Sequence, residues 1–241
     1  PLVEPGTPVL AVDIPSGVDG LTGEAGRGVL AADRTVTFAA LKPGMLFGAG
    51  RWLAGEVTVA DIGLDASHTM THLVERRDVA RWWRPRPPTA HKWSRAVRVV
   101  AGSPGMTGAA RLASAAAQRA GAGMVTLSTP GVDPGGPVEV VGRRIAGFDW
   151  SGDVLGDLDR FHALVIGPGM GREDHTVEAV HRTVVEAPVP IVIDGDGLFA
   201  LAWNATGAAS VLRKRDAPAI LTPHDGEYGL RTGHRPEPGR L

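Results

Sequence analysis

The chain has 241 residues, a formal net charge of −1, 21% charged residues and no cysteine. That length suits one large α/β domain or two modest ones with a real core. The balanced charge provides no global field toward nucleic acid or an anionic membrane, the lack of cysteine excludes disulfides, thiolate zinc sites and a thiol nucleophile, and no apolar run approaches the roughly 20 residues that cross a bilayer. A cytoplasmic setting is the expectation.

In chain order, Pro8-Val9-Leu10-Ala11-Val12 is a buried-strand pattern that stops at Asp13. Arg34-Thr35-Val36-Thr37-Phe38 and Glu56-Val57-Thr58-Val59-Ala60-Asp61 are further β-rich runs, separated by Gly/Asp turns such as Val18-Asp19-Gly20. No long helix is expected between them, only a short one near Lys42. This block, residues 1–64, reads as the closing part of an α/β domain. Residues 65–90 are charged and then proline-rich, through Arg81-Trp82-Trp83-Arg84-Pro85-Arg86-Pro87-Pro88, and suit a linker with polyproline stiffness. The third segment is 91–241; the chain starts without methionine and ends at Gly233-His234-Arg235-Pro236-Glu237-Pro238-Gly239-Arg240-Leu241, so a piece of something longer is expected.

From His91 onward, strand, loop and helix alternate, which predicts a parallel sheet with right-handed crossovers. Four apolar runs end in glycine-punctuated loops: Gly102-Ser103-Pro104-Gly105-Met106-Thr107-Gly108, Gly167-Pro168-Gly169-Met170-Gly171, Asp194-Gly195-Asp196-Gly197 and Thr222-Pro223-His224-Asp225-Gly226-Glu227. Such loops mark the carboxyl edge of a parallel sheet, where open α/β folds bind ligands. Thr107 is expected to cap an alanine-rich helix through Arg119, whose positive end would favour phosphate at the first loop. Val177, Val180, Val184 and Val185 predict a second amphipathic helix.

Bottom-up, these loops offer backbone N–H groups rather than a nucleophile. Asp194 and Asp196 suit hydroxyls, a metal or a water, or else helix capping. His224 suits a pocket hydrogen bond, a capping pair with Glu227, or both. His68 and His72 have i, i+4 spacing but no third ligand, the arginine–tryptophan stretch from Arg76 to Trp93 suits packing better than single-strand binding, and Arg213-Lys214-Arg215 suits a solvated helix end.

These motifs resemble a known family. His91-Lys92, Ala101-Gly102-Ser103-Pro104-Gly105-Met106-Thr107-Gly108-Ala109, Gly167-Pro168-Gly169-Met170-Gly171, Asp194-Gly195-Asp196-Gly197-Leu198 and Thr222-Pro223-His224-Asp225-Gly226-Glu227 resemble the N-terminal half of NAD(P)H-hydrate dehydratase, a ribokinase-like domain. Ala11-Val12-Asp13-Ile14-Pro15-Ser16-Gly17, Ala32-Asp33-Arg34-Thr35-Val36-Thr37-Phe38, Lys42-Pro43-Gly44 and Val59-Ala60-Asp61-Ile62-Gly63 resemble the C-terminal part of the companion Rossmann-like NAD(P)H-hydrate epimerase. The resemblance implies interconversion of R and S hydrates of NADH or NADPH, then ADP- or ATP-dependent dehydration of the S form, with magnesium and potassium as ions and a homo-oligomer as the full-length state.

It further implies that Asp13 contacts the hydrate, that Ser16 contributes to a potassium site, and that Ala109, Gly169 and His224 line the hydrate pocket. The general-base aspartate and nucleotide loop are expected beyond residue 241, and the other potassium ligands before residue 1. Trp93 and Ala96 depart from glycines usual after the His-Lys pair. A ribokinase-like small-molecule kinase and a non-catalytic nucleotide-binding remnant stay as alternatives.

Overall fold

Short β-branched runs and alanine-rich helices build two compact units, dividing between Arg84 and Pro85. The computed structural model describes residues 3–4, 6–202 and 207–232; the expected terminal loop Gly233–Leu241 lies outside them.

The first unit holds three parallel strands in sequential order, β1 (Leu10–Val12), β2 (Arg34–Phe38) and β3 (Glu56–Ala60). Leu10 pairs with Arg34, and Arg34 with Glu56. Central β2 is threonine-rich where it is deepest: Thr35 and Thr37 are fully buried, and the Thr35 hydroxyl donates to the Ala54 carbonyl at 2.6 Å. On edge strand β1, by contrast, Leu10 and Val12 are 61% and 63% exposed. A 3-10 turn at Pro43–Met45 and a single turn of helix, α1 (Gly50–Leu53), come before β3. Main-chain bonds knit this region together, with the Gly44 amide donating to the Gly20 carbonyl and the Gly50 amide to that of Gly23. The segment expected to be a stiff linker is helical in part: α2 (Arg76–Trp82) starts in a capping box between Glu75 and Asp78.

The second unit is a six-stranded, all-parallel sheet. Its strands are β4 (Ala96–Val100), β5 (Met124–Pro130), β6 (Val141–Ile145), β7 (Ala163–Ile166), β8 (Ile191–Ile193) and β9 (Ala219–Leu221), in the order β6-β5-β4-β7-β8-β9. Helix α3 (Thr107–Arg119) packs on β4 and β5. Helices α4 (Ser151–Leu155), α5 (Asp174–Glu186), α6 (Asp196–Ala202) and α7 (Gly207–Leu212) pack together in a second group, and α8 (Asp225–Thr232) follows β9. Alternation along each strand splits the core. Val99, Val125 and Leu127 join Ala110 of α3 in one cluster, while Val100, Leu164, Ile166 and Ile193 join Val180 and Val184 of α5 in the other. The α/β expectation with a parallel sheet therefore holds.

One core position defies the pattern. Arg98, in the middle of β4, is fully buried on the face of Val100. Its Nε donates to Ser128 Oγ at 3.1 Å, its terminal nitrogens to the carbonyls of Val154 and Asp153 at 3.1 Å each, and it pairs with the Asp157 carboxylate. Burial pushes its guanidinium pKa down, opposed by Asp157. A charge in a core survives only when every donor is satisfied, and here each guanidinium nitrogen has a partner.

Candidate functional site

A doubly wound sheet has its crevice where successive strands depart in opposite directions. Here the chain travels outward from β4 through β5 to β6, then returns to β7 on the other flank of β4, so the switch lies between β4 and β7. The two glycine loops meet there. The Gly102 amide donates to the Pro168 carbonyl at 2.9 Å and the Gly167 amide to that of Val100 at 3.2 Å. Gly169 has φ +65° and is packed so closely that an added Cβ would sit 2.9 Å from the Met106 carbonyl oxygen and 3.1 Å from the Ala109 methyl. Ala109 and Gly169, predicted separately, are thus neighbours across the crevice. Thr107 does not cap α3 as expected. Met106 occupies the cap position with φ −117° and ψ 26°, and no side chain caps the helix. Thr107 is itself the first helical residue, so the helix presents its first N–H groups and positive dipole end to the loop without a side-chain acceptor.

The loops after β8 and β9 continue the same carboxyl edge. An added Cβ at Gly167, φ +119°, would fall 2.0 Å from the Asp194 carbonyl oxygen, so only glycine lets these two loops touch. Asp194 accepts from the Thr222 hydroxyl at 2.8 Å, linking β8 to β9. Asp196 starts α6, yet its carboxylate reaches back to the β7 loop, accepting from the Gly171 amide at 3.0 Å and Arg172 Nε at 2.9 Å. In this arrangement Asp196 is a strut between the β7 and β8 loops.

His224 lies on this edge two strands from β7, with its side chain 73% exposed. Its Nδ1 accepts from the amides of Gly226 and Glu227 at 3.1 and 3.4 Å, while its own amide donates to Glu227 Oε2 at 3.0 Å. The capping pair with Glu227 is formed, which places the ring proton on Nε2. The structure gathers all four loops at one edge and brings Ala109 and Gly169 together, with His224 further along.

In the first unit the carboxyl edge carries Asp13 in the left-handed region, φ +67°, and Ala39 likewise at φ +60°. Strain at two non-glycine residues ending adjacent strands is a mark of functional geometry. Asp13 Oδ1 accepts from Lys42 Nζ at 2.5 Å, from Thr37 Oγ1 at 3.1 Å and from the Phe38 amide at 3.2 Å. The Lys42 ammonium, chiefly by its hydrogen bond, and then the Phe38 amide hold the carboxyl pKa below its ordinary value. Oδ2 has no partner among the described residues, and the side chain is 41% exposed. Ser16 is exposed in the following turn and offers one hydroxyl. Among the described residues no three His, Cys, Asp or Glu side chains gather as a metal site; His68 instead lies 3.7 Å from Asp65.

Sequence reasoning missed the partners that hold these residues. Lys42 stands 29 positions from Asp13, and Arg172 stands 24 from Asp196; no local spacing announces either pair. Arg215, read as solvated, donates instead to the Val184 and Val189 carbonyls at the C-terminal end of α5. Trp93 packs edge-on against Phe161 with centroids 5.6 Å apart and carries the Arg160 guanidinium at 4.0 Å, so the departure from glycine there is absorbed by packing.

Residues 97–233 match the family model of NAD(P)H-hydrate dehydratase, and residues 2–44 that of the YjeF-related protein N-terminus. The bifunctional NAD(P)H-hydrate repair enzymes Nnr of Moorella thermoacetica, Salinibacter ruber and Escherichia coli are 37%, 34% and 34% identical, covering 93%, 94% and 94% of the chain. The chain spans 45%, 45% and 43% of their lengths, a little under half. Among solved structures, the ADP/ATP-dependent NAD(P)H-hydrate dehydratase of Bacillus subtilis, co-crystallised with ATP and Mg2+, superposes with a TM-score of 0.51 at 30% identity, over 65% of this chain and 54% of that one. A ribokinase-like superfamily protein of Enterococcus faecalis gives a TM-score of 0.53 at 19% identity, over 65% and 55%, which speaks for the fold alone.

Proposed function

The chain belongs to the NAD(P)H-hydrate dehydratase family, and from that premise we propose that its second unit binds the S hydrate of NADH or NADPH in the crevice between β4 and β7 for dehydration with ADP or ATP. The observation that carries this reading is the meeting of Gly169 with Ala109 beneath the uncapped start of α3. Bare backbone there lets the β7 loop close against the first turn of α3, and the unpaired N–H groups of that turn suit an anionic linkage. His224 supplies a polar edge further along, its Nε2 lying 3.4 Å from Glu227 Oε1.

Hydroxide is a poor leaving group, so water removal needs the ring hydroxyl converted first. Its oxygen, giving up its proton, attacks the terminal phosphorus of ADP or ATP, and AMP or ADP departs with the electron pair of the broken P–O bond; the ring-nitrogen lone pair then expels phosphate, and loss of a proton from the neighbouring carbon restores the dihydronicotinamide. Magnesium, which accompanies ATP in the Bacillus subtilis relative, would neutralise the nucleotide phosphates. The base for the proton is not assigned to a residue of this chain.

The first unit, on the same reading, serves R/S interconversion. Asp13 Oδ2 faces the hydrate while Lys42 keeps the carboxyl ionised and in place. Ser16 lends a hydroxyl toward potassium; one hydroxyl is not a complete coordination shell, and no step is routed through the ion. Cytoplasmic pools of NADH and NADPH supply the substrate, and a homo-oligomer is the working assembly.

Equilibrium dialysis of the chain against enzymatically prepared NADH hydrate tests the binding claim. Retention of the S hydrate is expected, and a chain that leaves it free overturns the reading. Recovery of dihydronicotinamide absorbance on adding ADP or ATP with magnesium is expected of the full-length parent, which would also carry the general-base aspartate and the nucleotide loop; failure with both nucleotides removes the dehydration step.

A further inference from the structure

Arg172 follows the glycine loop of β7 and takes no part in the roles given so far. Its side chain is 59% exposed, but it is not loose. Nε donates to Asp196 Oδ1 at 2.9 Å, and the guanidinium lies over the Phe199 ring, 4.5 Å from the centroid. The other oxygen of Asp196 accepts from the Gly171 amide at 3.0 Å. One carboxylate thus fixes both the loop and the arginine that leaves it. An exposed arginine ordinarily gives up side-chain entropy to bind a ligand; this one is already ordered by an ion pair and an aromatic face.

Both terminal nitrogens of Arg172 lack a protein partner among the described residues. The residue before Arg172 borders the β4 loop: a Cβ on Gly171 would lie 3.9 Å from Ser103 Oγ, and that loop leads into the uncapped first turn of α3. A planar fork with two unused N–H2 groups, beside unpaired backbone amides, is the donor set that recognises phosphate oxygens in pairs. Gly169, whose lack of a side chain lets the β7 loop close against Met106 and Ala109, lies two residues before Gly171.

We propose that Arg172 is a diphosphate-binding residue, held ready by Asp196 and Phe199, that clamps the diphosphate linkage of the dinucleotide hydrate. The inference rests on the binding reading above. A diphosphate also occurs in ADP, so the source is decided by experiment.

Calorimetric titration of the chain with inorganic pyrophosphate, NADH hydrate, ADP and the hydrate of reduced nicotinamide riboside, which has no phosphate, supplies the test. Arg172→Ala is expected to weaken pyrophosphate and NADH hydrate roughly 10- to 100-fold, the range for losing charge-assisted hydrogen bonds. Riboside hydrate binding should stay within about twofold, a result that mere disruption of the pocket would not produce. Arg172→Lys, which keeps the charge and loses the fork, should fall between, and it decides the matter if the alanine variant does not fold. Loss confined to the hydrate assigns the clamp to the dinucleotide; loss confined to ADP overturns that assignment. Unchanged pyrophosphate affinity, or an equal loss with riboside hydrate, overturns the proposal. A wild-type chain that binds pyrophosphate but no hydrate sinks the parent reading and leaves the pyrophosphate comparison intact.

Discussion

Both units put their candidate sites at the carboxyl ends of parallel strands, yet they build them from opposite materials. In the second unit the site is glycine backbone resting on a sheet with an apolar cluster on each face. In the first it is a charged side chain, pinned by lysine, threonine and an amide, above strands whose Leu10 and Val12 are open to solvent. A deep core makes bare backbone rigid enough to recognise a ligand. In the first unit the carboxylate is positioned by its polar contacts with Lys42, Thr37 and the Phe38 amide.

The contrast is broken or sharpened most by substitutions under the crevice. Ile166→Ala, at a fully buried position at the end of β7, is expected to cost about 4 kcal/mol and to abolish hydrate binding, read by thermal melting and dialysis. Gly167→Ala forces a methyl against the Asp194 carbonyl at a positive φ; about 2–3 kcal/mol is expected, with loss of the β7–β8 loop contact visible in amide exchange. His224→Ala removes the cap of α8 and should cost about 1 kcal/mol, with faster exchange at the amides of Gly226 and Glu227, and it should weaken hydrate binding more than nucleotide binding.

In the first unit the expected effects are smaller and depend on pH. Asp13 has its pKa lowered on folding, so its contribution is present above the unfolded value, near 3.8, and is lost as pH falls through the lower folded value. Asp13→Asn should therefore reduce stability at neutral pH, with the difference from wild type closing in acid; a gap that stays constant down to strong acid contradicts the ion-pair account. Leu10→Ser should change stability by no more than about 0.5 kcal/mol. A loss there as large as that of Ile166→Ala would erase the distinction between the units.

Much of the second unit was legible because glycine loops after β-branched runs are local signals, and the parallel order followed from strand–helix alternation. The carboxyl-edge placement of Gly102, Gly167, Asp194 and His224 was readable for the same reason. Strand β6 was not: Gly142, Arg143 and Arg144 hide it, since an edge strand needs no continuous apolar face. The short helix α2 was hidden by the charges that cap it. The ties of Asp13 to Lys42 and of Asp196 to Arg172 join residues far apart in sequence, and only the folded sheet brings them within reach. Thr107 was a sound cap by composition, but Met106 took the position because the preceding turn runs from Ser103 to Met106.

Arg98 has a bearing on how the molecule comes to be folded. Its acceptors at Asp153, Val154 and Asp157 lie 55 to 59 residues downstream. Until that stretch arrives, closing the centre of β4 strands a desolvated cation in the middle of the nascent sheet. The Arg98 guanidinium is therefore fully matched only in a chain that has reached Asp157.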